Sequence, residues 1–202
     1  MSTVPRLKLG PADHDRPLTF DEFMAADYAE GYEYELIRGR LYVSPFPNMP
    51  SGYLETWIFW KLKAHSVRHP EALNAVFPGG RVFVPEEAEV TAPEPDVVAY
   101  RDFRDDIPID ELRWQDFSPV LVVEVLSEGN PEKDLVRNVE LYLLAPSIRE
   151  YWIIDGLENA NRPTLKVHRR HGKRWVVREY TYGETYTTKL LPGFELVIDP
   201  RR

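Results

Sequence analysis

The chain has 202 residues, no cysteine, 43% hydrophobic and 12% aromatic residues, and a formal net charge of −8. That length and composition suit one compact domain with a substantial core and argue against global disorder. The missing cysteine excludes disulfides, thiolate metal sites and cysteine nucleophiles, and the acidic balance counts against an undirected nucleic-acid coat protein.

In chain order, the opening "MSTVPRLKLGPADHDRP" is rich in Pro, Asp and Arg. Residues 1–17 therefore read as a flexible tail and 18–202 as a single domain. The opening has no apolar block of a secretory signal, and no apolar run approaches the roughly 20 residues of a membrane span. The expectation is a soluble cytoplasmic protein with no membrane contact. Thr19-Phe20-Asp21-Glu22 fits a capping box and predicts a short helix to about Tyr28. "YEYELIRGRLYVSP" predicts two strands around a tight Arg38-Gly39 turn. From Ser51, residues Leu54, Trp57, Ile58 and Leu62 recur at helical spacing and predict an amphipathic helix ending before Pro70.

"NAVFPGGRVFVP" reads as two short strands with a hairpin turn at Gly79 to Arg81, and "PDVVAYR" as a third. Residues 101–118 read as a long connection, its "RDFRDD" a solvated loop. "SPVLVVEVLSEGNPEKD" then gives a buried strand. A helix is predicted from Lys133 to Leu144, closed by Ala145-Pro146, then a buried strand in "REYWIID". A hairpin turning near His171-Gly172 and a last strand in "GFELVID" complete the chain. The order predicts an α/β (α+β) domain around a mixed central sheet, with extra β-hairpins.

Glu124 stands inside the apolar run Val120 to Leu126, where an ionised carboxylate is costly without a cation or several donors. Asp96 opens the preceding valine-rich strand. If the two strands pair, these carboxylates lie side by side, and a hard divalent ion such as Mg²⁺ satisfies both. The alternative, that each merely meets backbone donors or an arginine, stays open on these residues alone.

A second feature is a basic stretch free of Asp and Glu that holds Arg162, Lys166, Arg169, Arg170, Lys173, Arg174 and Arg178. It reads either as a solvated hairpin or as a phosphate-contacting edge, with Arg169, Arg170, Lys173 and Arg174 as the nucleic-acid-binding candidates. His65 and His69 have the spacing of a helical metal pair but no acidic third ligand, and are expected at an exposed helix end. Trp57, Trp60, Tyr151, Trp152 and Trp175 are expected in the core or an interface.

"EPD", then "LVVEVLS", a helix and "IREYWIID" resemble the PD-(D/E)XK nuclease superfamily. With "LTFDEFMA", "YELIRGRLYVSP" and "LLPGFEL" the resemblance narrows to the Uma-type restriction-endonuclease family and covers nearly the whole chain. It implies a restriction-endonuclease-like core, a mixed sheet flanked by helices, with Mg²⁺ as cofactor (Mn²⁺ as a possible substitute) and DNA as substrate. It implies a homo-oligomer too, since two sites are the simple way to cut two strands. Asp96 and Glu124 match the metal-binding acids, Glu35 matches a further acidic position, and the Val125 carbonyl is an additional metal ligand.

The chain departs from that family's pattern at the lysine. Leu126 stands two residues after the glutamate. In the alternative pattern Asp-x-x-x-Lys-x-x-x-Tyr, the chain reads Asp134, Asn138, Tyr142. Asn138 can orient a water but supplies no positive charge. Arg137 points about 100° around the helix, and Lys133 lies near the helix start. The expected function is a Mg²⁺-dependent endonuclease, with a catalytically impaired nuclease-fold protein that binds nucleic acid or a protein partner as the alternative.

Overall fold

The computed structural model describes residues 6–85 and 89–202. Its centre is a six-stranded mixed sheet built from β5 (Ala75–Pro78), β6 (Val97–Tyr100), β7 (Leu121–Val125), β8 (Glu150–Asp155), β9 (Thr164–His171) and β10 (Arg174–Tyr180), in spatial order β10-β9-β8-β7-β6-β5. Only β7 and β8 are parallel. The connection between them carries α3 (Asn138–Leu144), the crossover that a parallel pair requires.

Side chains of β7 alternate between two apolar layers. Leu121, Val123 and Val125 pack with Leu54, Trp57, Ile58 and Leu62 of α2 (Met49–Arg68). Val122 faces the other layer, with Tyr142, Tyr151 and Ile153. Leu54, Ile58 and Leu62 are no more than 2% exposed; each such side chain contributes roughly 1.5–3 kcal/mol on burial. The period-2 alternation puts Glu124 on the α3 face.

Ahead of the sheet come β1 (Lys8–Leu9), α1 (Phe20–Ala25), β2 (Asp27–Tyr28), β3 (Tyr32–Ile37) and β4 (Arg40–Pro45). Thr19 caps α1 with the predicted capping box. The β3–β4 hairpin turns through Arg38 and Gly39 at φ 51° and 66°, the left-handed pair of a type I′ turn. The chain closes with β11 (Thr185–Thr187) paired to β12 (Glu195–Val197).

Several sequence expectations are corrected. Residues 6–17 are no loose tail: β1 pairs with β2, Leu9 is buried, and Arg40 bridges to Pro17. Residues 1–5 of that expected tail lie outside the described residues. The first helix stops at Ala25 because Asp27 and Tyr28 are taken into that pairing. "RVFVP" is extended but not a strand, with Val82 and Val84 bonded to the carbonyls of Pro93 and Thr91. Gly79-Gly80 is therefore where the chain leaves the sheet edge rather than a hairpin turn. His65 is buried under the His69 ring and against Phe194 rather than exposed. In "RDFRDD", Phe103 packs on the core, and Arg101 donates to the carbonyls of Ala72 and Leu190. Trp60, unlike the other tryptophans, is 62% exposed. Among the described residues no helix is long and apolar enough to cross a membrane.

Candidate active site

β6 and β7 pair antiparallel with Val97 opposite Val123, so Asp96 and Glu124 come opposite one another where the two strands end. The Asp96 N–H reaches Glu124 Oε2 at 3.4 Å, and the Val125 N–H donates to Asp96 Oδ2 at 2.6 Å. A strand residue sends its N–H and its carbonyl to the same side, so Val125 turns its backbone toward Asp96.

Glu124 is fully buried, and α3 satisfies it from the other direction. Asn138 Nδ2 and the Tyr142 hydroxyl both donate to Glu124 Oε1, at 2.9 and 2.8 Å. Asn138 Nδ2 also donates to Asp134 Oδ1 at 3.0 Å. Asp134, Asn138 and Tyr142 are four residues apart and so share one helix face. Both amide hydrogens of Asn138 are thus engaged by carboxylates. Asn138 fixes the rotation of Glu124 and has no hydrogen left for the water that sequence reasoning assigned to it.

The cation comes from elsewhere. Lys133 to Arg137 form a π-type turn, in which the Asn138 N–H reaches back five residues to the Lys133 carbonyl. This wider turn rotates Lys133 relative to a regular helix, and such turns concentrate at functional sites. The Lys133 side chain is 10% exposed, with Nζ 3.9 Å from Asp134 Oδ1 and 4.0 Å from Glu35 Oε1. Those separations exceed hydrogen-bond range. Among the described residues its ammonium is therefore held by charge alone. Arg137 is otherwise engaged: Nη2 donates to Glu35 Oε2 at 2.6 Å, Nε to Asn138 Oδ1 at 3.0 Å, and its guanidinium lies over Tyr42. Glu35, buried on β3, also accepts from the Glu94 N–H. It thereby ties the β3–β4 hairpin to the crossover.

These positions set the electrostatics. Burial and the nearby Glu55 push Asp96 well above the ordinary carboxylate range. Burial and Asp134 do the same to Glu124. Burial raises Asp134 to about 6. Burial would raise Glu35 as well, but Lys133 and Arg137 outweigh it and hold Glu35 down. Burial works against the Lys133 ammonium, yet Glu35, Glu124, Asp134 and Asp96 together push its pKa well up.

Beside Asp96 opens a cavity of about 770 Å³ lined by Glu33, Glu55, Glu94, Tyr32, Phe46 and Trp60 among others. Glu55, on α2, is the residue that sequence reasoning missed, and its helix gives no local signal for it. One of its oxygens is buried with no hydrogen-bond partner among the described residues. Among the described residues no three carboxylates or imidazoles already sit close enough to coordinate an ion by themselves. The donor chemistry nevertheless fits a hard cation. Asp96 and Glu124 are paired acids with depressed acidity, the orphaned Glu55 oxygen lies in the adjoining cavity, and oxygen donors suit Mg²⁺ or Mn²⁺.

The basic hairpin is not brought to these acids. Arg169 Nε pairs with Glu150 Oε1 at 2.8 Å. Arg170 donates to the carbonyls of Tyr142, Leu143, Ala145 and Ile148, closing the C-terminus of α3. Lys173 and Arg174 are exposed at the turn. The register sets Leu121 beside Glu150 and Glu150 beside Arg169. That turn therefore projects from the end of the sheet opposite Asp96 and Glu124.

Comparison with known proteins agrees with this geometry. The family Uma2, described as "Putative restriction endonuclease", matches residues 20–199. The fold is similar to a crystal structure of "a putative nuclease belonging to DUF820" from Anabaena variabilis. The TM-score is 0.67 at 16% identity, over 90% of this chain and 96% of that one. No curated protein matches the chain.

Proposed function

Because the chain belongs to the Uma2 restriction-endonuclease family across residues 20–199, we propose that it is a divalent-metal-dependent endonuclease hydrolysing DNA phosphodiester bonds. Mg²⁺ is the proposed cofactor, with Mn²⁺ as substitute. The observation that carries this reading is the opposed Asp96–Glu124 pair, with Lys133 held by charge beside it.

Asp96, Glu124 and the Val125 carbonyl are the groups that would hold the ion. When bound, it supplies Lewis-acid polarisation of a phosphoryl oxygen and acidifies a water. The protein's own groups do the rest. Asn138 and Tyr142 lock Glu124 through one oxygen and leave the other turned toward Asp96. Lys133 keeps its N–H donors free for a phosphate oxygen, where they offset developing charge. Glu35 and Arg137 act as positioning residues, clamping the hairpin onto the crossover. Cutting both strands of a duplex takes two such sites, so a homodimer is the proposed assembly; the proposed compartment is the cytoplasm.

The test is incubation of the purified protein with supercoiled, linear and single-stranded DNA in Mg²⁺ or Mn²⁺, alongside Asp96→Ala and Glu124→Ala. Metal-dependent cleavage lost in both variants is the expected result. Cleavage that survives both substitutions overturns the site. DNA binding without cleavage of any form favours the catalytically impaired alternative.

A further inference from the structure

The end of the sheet away from the carboxylates holds a second cluster. Arg101 follows β6, Arg149 precedes β8, Arg169 and Arg170 lie near the end of β9, and Lys189 follows β11. Together with Thr188 they surround a hollow of about 280 Å³. The cluster draws on four separate parts of the chain, and only two of its five cations belong to the basic stretch visible in the sequence.

One carboxylate, Glu150, lines this hollow, and its capacity is already used. Glu150 is 2% exposed. Its oxygens accept from Arg169 Nε, the Thr188 hydroxyl, Trp152 Nε1 and the Tyr186 hydroxyl, at 2.6 to 2.9 Å. That single negative charge is matched by Arg169. Among the described residues, Arg101, Arg149, Arg170 and Lys189 form no ion pair with any carboxylate.

The frame is rigid where it has to be. Arg101 is fixed by the carbonyls of Ala72 and Leu190. Arg170 is fixed by its four carbonyls and by the Trp175 ring. Carbonyls orient a guanidinium without neutralising it. A guanidinium has five N–H donors, so both arginines retain donors beyond these bonds. Arg149 and Lys189 are exposed at the rim. Burial and the neighbouring Arg149 charge lower the pKa of Arg170, which is the sign of cations crowded without an anion between them.

We propose that this hollow binds a phosphate group. Its excess of positive charge surpasses what one carboxylate ligand would neutralise, whereas a phosphate brings up to two negative charges and several strong acceptor oxygens. The phosphate has two available sources, a nucleic-acid backbone or free phosphate and pyrophosphate. The site is distinct from the carboxylates: Asp96 and Arg101 flank β6 five residues apart, about 17 Å along an extended strand. The proposal does not depend on the nuclease reading.

The experiment compares the wild type with Arg149→Ala/Lys189→Ala, both rim residues whose removal leaves the core untouched. Calorimetry follows inorganic phosphate and pyrophosphate against sodium chloride of matched ionic strength. Fluorescence anisotropy follows a labelled 16-base-pair duplex in EDTA at several salt concentrations. If the source is nucleic acid, the double variant weakens duplex binding and its log–log salt slope becomes shallower by about 2, from about 0.9 per lost phosphate contact. If the source is a free ion, the variant loses pyrophosphate binding and leaves duplex binding unchanged. Asp96→Ala retains either behaviour, which separates this site from the carboxylates. Wild type that binds neither probe, or a double variant that binds both as tightly as wild type, overturns the proposal.

Discussion

Replacing Lys133 with methionine keeps the apolar stem and removes the charge. At 3.9 and 4.0 Å, Asp134 and Glu35 each attract the ammonium, by about 4 kcal/mol at an effective dielectric of about 20. Desolvating the ammonium offsets much of that attraction. Breaking such a buried arrangement from one side nets a loss of about 3–5 kcal/mol, a large share of the 5–15 kcal/mol typical of a domain. Denaturant titration at pH 8 in EDTA should show this loss in Lys133→Met. The loss should shrink below pH 6, because Asp134, raised to about 6, then takes a proton and needs no counter-charge. It should shrink too in millimolar Mn²⁺, which replaces the missing positive charge. Cleavage, measured where the variant remains folded, should fall by about 10²–10³. A variant that keeps both the wild-type midpoint and the wild-type rate refutes the whole assignment. A variant that is destabilised but cleaves normally when folded leaves Lys133 a structural role alone.

Two further outcomes follow from the same cluster. Glu55→Gln removes the orphaned carboxylate that helps raise Asp96; calorimetry should show Mn²⁺ affinity falling by about 10–100-fold, and unchanged affinity would separate Glu55 from the ion. Burial holds Asp134 at about 6 against an ordinary 3.8, so the folded state binds a proton that the unfolded state releases. Stability should therefore fall as pH rises from 3.8 through about 6. His168, held down to about 4 by burial, acts in the opposite sense between 6.5 and 4. The diagnostic is thus the difference between wild type and Asp134→Asn, in which the histidine contribution cancels; identical pH profiles would remove Asp134 as the source.

The sheet was legible wherever one short-range period decided the structure. The strand at Leu121–Val125, the hairpin at Arg38-Gly39 and the helix behind Leu54, Ile58 and Leu62 all carry their own pattern. What could not be read depended on partners distant in sequence. Lys8 and Leu9 look like tail residues until Asp27 and Tyr28 pair with them. Val82 and Val84 look like a strand, yet their N–H groups meet loop carbonyls rather than a ladder.

The same distinction governs the charged residues. Asp96, Glu124 and Asn138 were readable because strand alternation and a four-residue helical spacing fix where they point. Lys133 was not, because a regular helix places it about 100° from Asp134 and no residue in the sequence announces the π-type turn that moves it. A run of arginines carries still less information, since it does not record which acceptors each one meets. Arg170 looked like a phosphate ligand by charge alone, yet its four bonds go to carbonyls around the end of α3. Those bonds orient its charge without cancelling it. Folding thus sorts charge by whether it finds an opposite partner. At one end of the sheet carboxylates outnumber the cations that reach them, and at the other cations outnumber the single carboxylate. Each imbalance persists because the groups are held in place by backbone and neutral donors, which is the condition under which a bound ion gains most.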